Sequence, residues 1–204
     1  MAPPSRIGLD LDNTVIDYTE AYPVIARNLG LPGTCRERNQ IRDLLRVSPP
    51  NDFEWQEFQA LLYTDGLDYA QPAPGLEQFL GECSRQGVRV FIVSHKTPRT
   101  PDMFGAQDLH GPAMKWLGTH DVVPRFVTDT DVYFCPTRAV KIQTINDVGA
   151  EVFVDDLSEV LTDPGLPTTL VRWHFVPTAG TAPAHTLELP TTDFAGLTEW
   201  LRTC

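Results

Sequence analysis

Short apolar runs that stop abruptly at polar residues recur along the chain. The first run, residues 6–12, is too short and too charged at its end for an amphipathic helix, so it predicts a buried strand that ends at a loop. Similar runs predict strands at 88–93, 125–127, 132–134, 151–154, 168–175 and 186–189. Segments with helical spacing alternate with these runs after residue 72. This alternation predicts an α/β fold with a Rossmann-like parallel sheet covered by helices on both faces.

The region that follows the first strand shows helical spacing only. Residues 18–29, residues 37–47 and a segment that begins near Asp52 each carry apolar residues on one helical face. A helical stretch that directly follows a polar strand end predicts a lid that excludes water and selects substrate. We therefore expect a core formed by residues 1–16 and 73–204, with residues 17–72 inserted as a small helical cap.

Composition and charge argue against several classes of binding partner. The chain has 204 residues and a net charge of −11, which argues against nucleic-acid binding because a phosphate backbone requires a basic surface. Its four cysteines are widely spaced and form no zinc-ligand pattern. The sequence shows no apolar signal core and no run long enough to span a membrane. These features predict a cytoplasmic protein, a monomer or homodimer, that acts on a small molecule.

Chemically active side chains stand at several predicted strand ends or at adjacent helix starts. They are Asp10 with Asp12, Ser94, Lys141, and Asp155 with Asp156. Ligands of open α/β sheets gather at the carboxyl ends of the strands, so we expect these residues to share one site. Two acidic pairs at one edge repel each other unless a cation relieves the repulsion, which predicts a site for a hard metal ion.

Each of these residues also has a structural interpretation. Asp10 and Asp12 could form a strand-end turn with side-chain hydrogen bonds to the backbone. Ser94 could cap a helix, and Lys141 could be a solvated residue on a helix face. Arg138 lies one helical turn before Lys141 and could supply the cation in its place.

The order and setting of these residues resemble the haloacid dehalogenase-like superfamily of phosphotransferases. Residues 7–14, Ile-Gly-Leu-Asp-Leu-Asp-Asn-Thr, match that family's first motif, hhhDxDxT. The serine, the lysine and the aspartate pair follow in the family's order, so the core resemblance spans residues 6–160. It implies Mg²⁺-dependent hydrolysis of a phosphate monoester through an aspartyl-phosphate, with the helical insertion in the position of the family's small first cap.

The resemblance also implies roles for the acidic residues. Asp10 would be the nucleophile, and Asp12 would protonate the leaving alkoxide and later deprotonate the attacking water. Asp10, the backbone carbonyl of Asp12 and one aspartate of the later pair would bind Mg²⁺. Asp156 is favoured for this role, while Asp155 could instead hold Lys141 or a metal-bound water. An acid at position 12 favours phosphate esters over haloalkanoates, because a leaving alkoxide needs a proton.

Phosphate binding would involve the polar and basic groups around these acids. Ser94 would donate to a phosphoryl oxygen together with backbone N–H groups around Asn13 and His95, and Lys141 would balance the charge of nucleophile and phosphate.

The loop after Ser94 gathers further cations. His95, Lys96 and Arg99 could hold substrate or form a solvated basic loop. Trp55 of the helical segment could contact substrate or pack in the segment's core.

The function predicted from the sequence is that of a phosphatase for a small-molecule phosphate monoester. A nucleotidase or polynucleotide-end phosphatase is the alternative enzyme. A non-catalytic interaction protein that keeps the scaffold is the alternative of another class, and it is disfavoured because all the motif positions carry competent residues.

Overall fold

The computed structural model describes residues 3–46, 52–176 and 188–204, apart from the side chains of 188–190. The chain divides into two compact units. The core unit comprises Met1–Ile16, Pro72–Thr97 and Leu117–Cys204, and the second unit comprises Asp17–Gln71 and Pro98–Trp116.

The strands of the described residues form two sheets. In chain order they are β1 (Arg6–Leu9), β2 (Ile16–Asp17), β3 (Gln71–Pro72), β4 (Arg89–His95), β5 (Val132–Cys135), β6 (Val152–Asp155), β7 (Val171–Phe175) and β8 (Glu188–Thr191). The main sheet has six strands in the order β5-β4-β1-β6-β7-β8, and every neighbouring pair is parallel. β2 and β3 form a separate two-stranded sheet. The predicted parallel α/β fold is therefore confirmed.

The helices of the described residues lie between these strands along the chain, except that the last helix follows β8. They are α1 (Ala21–Asn28), α2 (Arg38–Leu45), α3 (Phe53–Leu62), α4 (Leu76–Gln86), α5 (His110–Thr119), α6 (Arg138–Asp147), α7 (Ser158–Leu161) and α8 (Phe194–Thr203). Short 3₁₀ turns cover Asp65–Asp68, Asp102–Phe104 and Asp129–Asp131.

The central strands are buried on both faces. Successive residues of β4 from Val90 to Ser94 are all buried, although side chains alternate between the two faces of a strand. Such continuous burial requires cover on both sides of the sheet and explains why these strands are apolar runs. In β1, Gly8 is required by close packing, since a Cβ there would lie 2.6 Å from Cδ2 of the Phe153 ring.

The register of the central strands brings their carboxyl ends together. Leu9, the last residue of β1, lies opposite Ile92 of β4 and Val154 of β6. The residues that follow β1, β4 and β6 therefore emerge at one edge of the sheet, which we call the carboxyl edge. The strands begin at the opposite, amino edge.

The second unit has its own apolar interior. Trp55 and Phe58 of α3 are buried, with their rings stacked at 5.5 Å between centroids. Residues 98–116, which the sequence placed with the core, group with this unit instead. Trp116 Nε1 donates to the carbonyl of Ala70, and the Phe104 ring lies 5.1 Å from that of Phe53.

Several predicted strand bounds were wrong. β1 ends at Leu9 and not at residue 12, because the carbonyl of Leu11 accepts hydrogen bonds from three following N–H groups in a tight turn. Residues 125–127 form no strand, since the N–H groups of residues 126 and 127 donate to the carbonyl of Val122. β7 begins only at Val171, after a turn that links Leu170 to Pro167. Of the predicted strand 186–189, residues 186 and 187 lie outside the described residues.

Candidate active site

The turn after β1 presents the first acidic pair. The N–H of Asp10 donates to the carbonyl of Val154 at 2.8 Å, so Asp10 continues the pairing of β1 with β6 for one more residue. Asp10 is buried. Asn13 takes the left-handed conformation (φ 64°), which asparagine tolerates better than most residues, and this reverses the chain immediately beyond the strand.

Lys141 joins the first strand end to the later acidic pair. Its Nζ lies 2.6 Å from Asp10 Oδ1 and 2.6 Å from Asp155 Oδ2, and its side chain is 1% exposed. α6 presents this lysine from a capped start, where the Thr137 hydroxyl accepts from the N–H of Val140 at 3.2 Å. The cation that contacts both carboxylates is thus Lys141 from the first half of α6.

Arg138 points elsewhere. Its side chain is 52% exposed, and its Nε lies 3.7 Å from Asp163 Oδ2. The geometry therefore shows that Lys141, and not Arg138, is the cation beside Asp10.

Burial and charge shift the ionisation of this cluster. Burial raises the pKa of Asp10 from 3.8 to about 7, against the lowering effect of Lys141 and with a further increase from the neighbouring Asp155. Burial lowers the pKa of Lys141, but the carboxylates of Asp10 and Asp155 outweigh it and raise this pKa above its usual value. The lysine therefore stays charged at neutral pH.

The two aspartates after β6 have different surroundings. Both carboxylate oxygens of Asp155 are engaged, since Oδ2 accepts from Lys141 and Oδ1 accepts from the N–H of Leu157 at 2.9 Å. Asp156 is only partly buried, and its backbone carbonyl lies 3.1 Å from Nε2 of His174 on β7.

The carboxylates fit a hard cation. Ligand atoms of Asp10, Asp155 and Asp156 all lie within 4.8 Å of one another. An all-oxygen donor set of this kind suits Mg²⁺, Ca²⁺ or Mn²⁺ better than it suits zinc or copper. Because Asp155 already uses both oxygens, Asp10 and Asp156 are the better placed donors.

Lys96 forms a second buried ion pair at the same edge. Its Nζ lies 2.8 Å from Asp12 Oδ2, with the two side chains 2% and 12% exposed. The N–H of Lys96 donates to the carbonyl of Cys135 at 2.9 Å, which extends the pairing of β4 with β5 beyond the end of β4. The lysine that the sequence assigned to substrate binding thus contacts the candidate general acid–base residue.

The other predicted substrate contacts fall into two groups. Ser94 is buried near the end of β4, and His95 beside it is exposed. Arg99 and Trp55 belong to the second unit. Trp55 is buried against Phe58, as its packing interpretation requires, and a contact between either residue and substrate stays a prediction.

His174 also lies at this edge, and the sequence did not identify it. The five histidines are spread along the sequence, but β7 pairs directly with β6 and places His174 opposite Asp155. Because His174 lies near the end of a predicted strand, its place at the carboxyl edge could have been predicted from the sequence. Its neighbours there could not, because they depend on the order of the strands in the sheet.

Solved structures share this fold. A haloacid dehalogenase-like hydrolase from Streptococcus pneumoniae matches with a TM-score of 0.60 and 16% identity, over 98% of this chain and 100% of that chain. The protein tyrosine kinase A of Mycobacterium tuberculosis matches with a TM-score of 0.64 and 14% identity, over 98% and 99% of the chains. CbbY from Rhodobacter sphaeroides, in complex with xylulose-1,5-bisphosphate, matches with a TM-score of 0.57 and 14% identity, over 95% and 96%.

These similarities show the haloacid dehalogenase-like fold. No family model and no curated protein matches the chain. Within the described residues, no helix is both long enough and apolar enough to cross a membrane.

Proposed function

We propose that this protein is an Mg²⁺-dependent phosphatase that hydrolyses a small-molecule phosphate monoester through an aspartyl-phosphate on Asp10. One observation carries the proposal. At a single sheet edge, one buried lysine contacts the candidate nucleophile Asp10 and a second buried lysine contacts the candidate acid–base residue Asp12. Buried charges are costly, and their concentration at a strand-end site is typical of catalytic centres.

The chain's own residues divide the reaction into two displacements. A carboxylate oxygen of Asp10 forms a bond to phosphorus while the bond between phosphorus and the leaving-group oxygen breaks. Asp12 gives its proton to that leaving-group oxygen. A water then attacks the phosphorus of the aspartyl-phosphate, Asp12 takes its proton, and inorganic phosphate leaves with Asp10 restored. Lys141 offsets negative charge around Asp10 throughout and keeps the nucleophile oriented.

Metal and phosphate would be held by groups around this nucleophile. Bound Mg²⁺ would neutralise the charge on the phosphoryl oxygens. Asp10, Asp156 and the backbone carbonyl of Asp12 would hold the ion, since Asp155 is engaged by Lys141 and Leu157.

Donors from the neighbouring loops would bind the phosphoryl group itself. We assign the Ser94 hydroxyl and the backbone N–H groups of Asn13 and His95 to this role. Ser94 and Asn13 are buried at the carboxyl edge, which supports the assignment. The net charge of −11 favours a small substrate over a nucleic acid, because a polynucleotide requires an extended basic surface.

The test is phosphate release by purified protein. With Mg²⁺ present, we expect turnover of p-nitrophenyl phosphate and of some members of a panel of sugar phosphates, nucleotides and other phosphorylated metabolites. Asp10→Asn and EDTA should each reduce release to background. Asp147→Asn is the matched control, since Asp147 is an exposed aspartate whose side chain accepts a hydrogen bond from Gln143 within α6.

Unchanged turnover in Asp10→Asn would remove the nucleophile assignment. Preference for nucleoside monophosphates across the panel would identify a nucleotidase. Absence of turnover, of Mg²⁺ binding and of phosphate binding would favour a scaffold that acts through protein interactions.

A further inference from the structure

A buried histidine outside the predicted motifs holds the backbone at the candidate metal site. His174 lies on β7 in register with Asp155, and its ring is buried. Its Nε2 lies 3.1 Å from the carbonyl oxygen of Asp156. The ring therefore meets the acidic pair from a strand that contributes none of the predicted site residues.

The partner atom determines the state of the imidazole in this contact. A backbone carbonyl only accepts hydrogen bonds, so Nε2 must carry the proton and donate it. A neutral imidazole protonated at Nε2 meets this requirement, and the contact needs no charge on the ring.

The same peptide group is held from its other end. The carbonyl oxygen of Asp156 and the N–H of Leu157 belong to one planar peptide unit. The carbonyl accepts from His174, while the N–H donates to Asp155 Oδ1 at 2.9 Å. With both polar ends bonded, the plane cannot rotate without breaking a partly buried hydrogen bond, so the backbone that carries the Asp156 side chain has one preferred orientation.

We propose that His174 is a positioning residue that fixes the Asp156–Leu157 peptide and thereby keeps the Asp156 carboxylate beside Asp10 for divalent-cation binding. This inference rests on the proposed function, in which Asp156 is a metal ligand. Hydrogen bonds that orient ligand residues typically change metal affinity by about 10- to 100-fold when they are removed.

The test measures cation binding without substrate. Mn²⁺ serves as the probe, because it prefers oxygen ligands as Mg²⁺ does and can be followed by electron paramagnetic resonance. We expect His174→Leu and His174→Asn to weaken Mn²⁺ binding by about 10-fold or more. His174→Gln should restore it, because the amide nitrogen of glutamine reaches the position of Nε2 whereas that of asparagine corresponds to Nδ1.

A second buried side chain provides the matched control. The Thr198 hydroxyl donates to the carbonyl of Phe194 at 2.7 Å within α8 of the core unit. Thr198→Val thus removes a comparable hydrogen bond to a backbone carbonyl without touching the acidic pair. We expect it to lower Tm while leaving Mn²⁺ affinity unchanged.

The outcomes separate this inference from the proposed function. Wild-type affinity in both His174→Leu and His174→Asn overturns the positioning role. Equal weakening in His174→Gln and His174→Asn overturns the hydrogen bond as its cause. If His174→Leu does not fold, the difference in Mn²⁺ affinity between His174→Asn and His174→Gln tests the positioning role. Absence of Mn²⁺ binding by the wild-type protein rejects the metal site itself, and this inference with it.

Discussion

Ion pairs occur at both edges of the main sheet, but the cationic side chains at the two edges differ in their exposure to water. At the amino edge, Arg89 binds Asp131 through Nε and Nη2, with an Nη2–Oδ1 distance of 2.7 Å; the arginine side chain is 59% exposed and that of Asp131 is 6% exposed. At the carboxyl edge, the side chains of Lys141 and Lys96 are 1% and 2% exposed. Water solvates the guanidinium group of Arg89 at the amino edge, whereas the two lysines of the carboxyl edge are withdrawn from water and paired with carboxylates.

This difference in exposure indicates that the carboxyl edge carries a larger cost in folding free energy, because its cations are removed from water. Removing two charges from water costs several kcal/mol per ion, and pairing offsets this cost only when the geometry is good. Stability alone would favour the arrangement of the amino edge, in which the cation stays in contact with water. The buried pairs of the carboxyl edge therefore support a role in chemistry, and the comparison can be tested one charge at a time.

The largest effect is expected from Lys141→Met. This change leaves Asp10 and Asp155 facing each other without their shared cation, which should destabilise the metal-free protein by about 3–5 kcal/mol in urea unfolding. Phosphate release should fall by about 10²- to 10³-fold, as expected when a charge-stabilising group is lost. Lys115→Met, at an exposed lysine of the second unit, is the control. Equal stability of the two variants would contradict the conclusion that Lys141 offsets the buried charge of Asp10 and Asp155.

Lys96→Met should have the next largest effect. It leaves the Asp12 carboxylate without its buried partner and should destabilise the protein by about 1–3 kcal/mol, with a smaller loss of turnover than Lys141→Met. Addition of Asp12→Asn should recover part of the lost stability, because the uncompensated charge is then removed. A double variant whose stability loss is the sum of the single losses would show that the two side chains are not coupled.

A pH effect on stability is expected from Asp10. Its pKa in the folded protein is raised from 3.8 to about 7, mainly by burial, so between these values the folded state holds a proton that the unfolded state has lost. The contribution of Asp10 to the unfolding free energy is thus fully present below the lower pKa and disappears as pH rises towards 7. Without metal, wild-type protein should lose stability relative to Asp10→Asn over this range. Parallel stability profiles would contradict the raised pKa.

The smallest effect on phosphate release is expected from Arg89→Met at the amino edge. Its guanidinium group is 59% exposed while the Asp131 side chain is 6% exposed, so the pair lies at the boundary with water and far from the acidic cluster of the carboxyl edge. We expect a decrease in Tm, because the buried Asp131 carboxylate loses the two hydrogen bonds from Arg89, and unchanged phosphate release under saturating substrate. A loss of turnover comparable to that of Lys96→Met would remove the distinction between the two edges.

The sequence alone determined the strand–helix alternation and the position of polar residues at strand ends, because both depend on local hydrophobic patterning. The predicted strand bounds were wrong where the backbone forms turns, as at Leu11, Val122 and Leu170. The grouping of residues 98–116 with the second unit also escaped prediction, since it depends on distant contacts such as that between Trp116 and Ala70.

Only the tertiary structure decided which side chains meet. It selected Lys141 over Arg138 as the cation beside Asp10, joined Lys96 to Asp12, and brought His174 to the carbonyl of Asp156. A sequence shows which residues lie near a strand end but not which strands are neighbours or how a helix is rotated against the sheet. Those choices come from the packing of the whole core, because residues far apart in the chain must bury their apolar faces together.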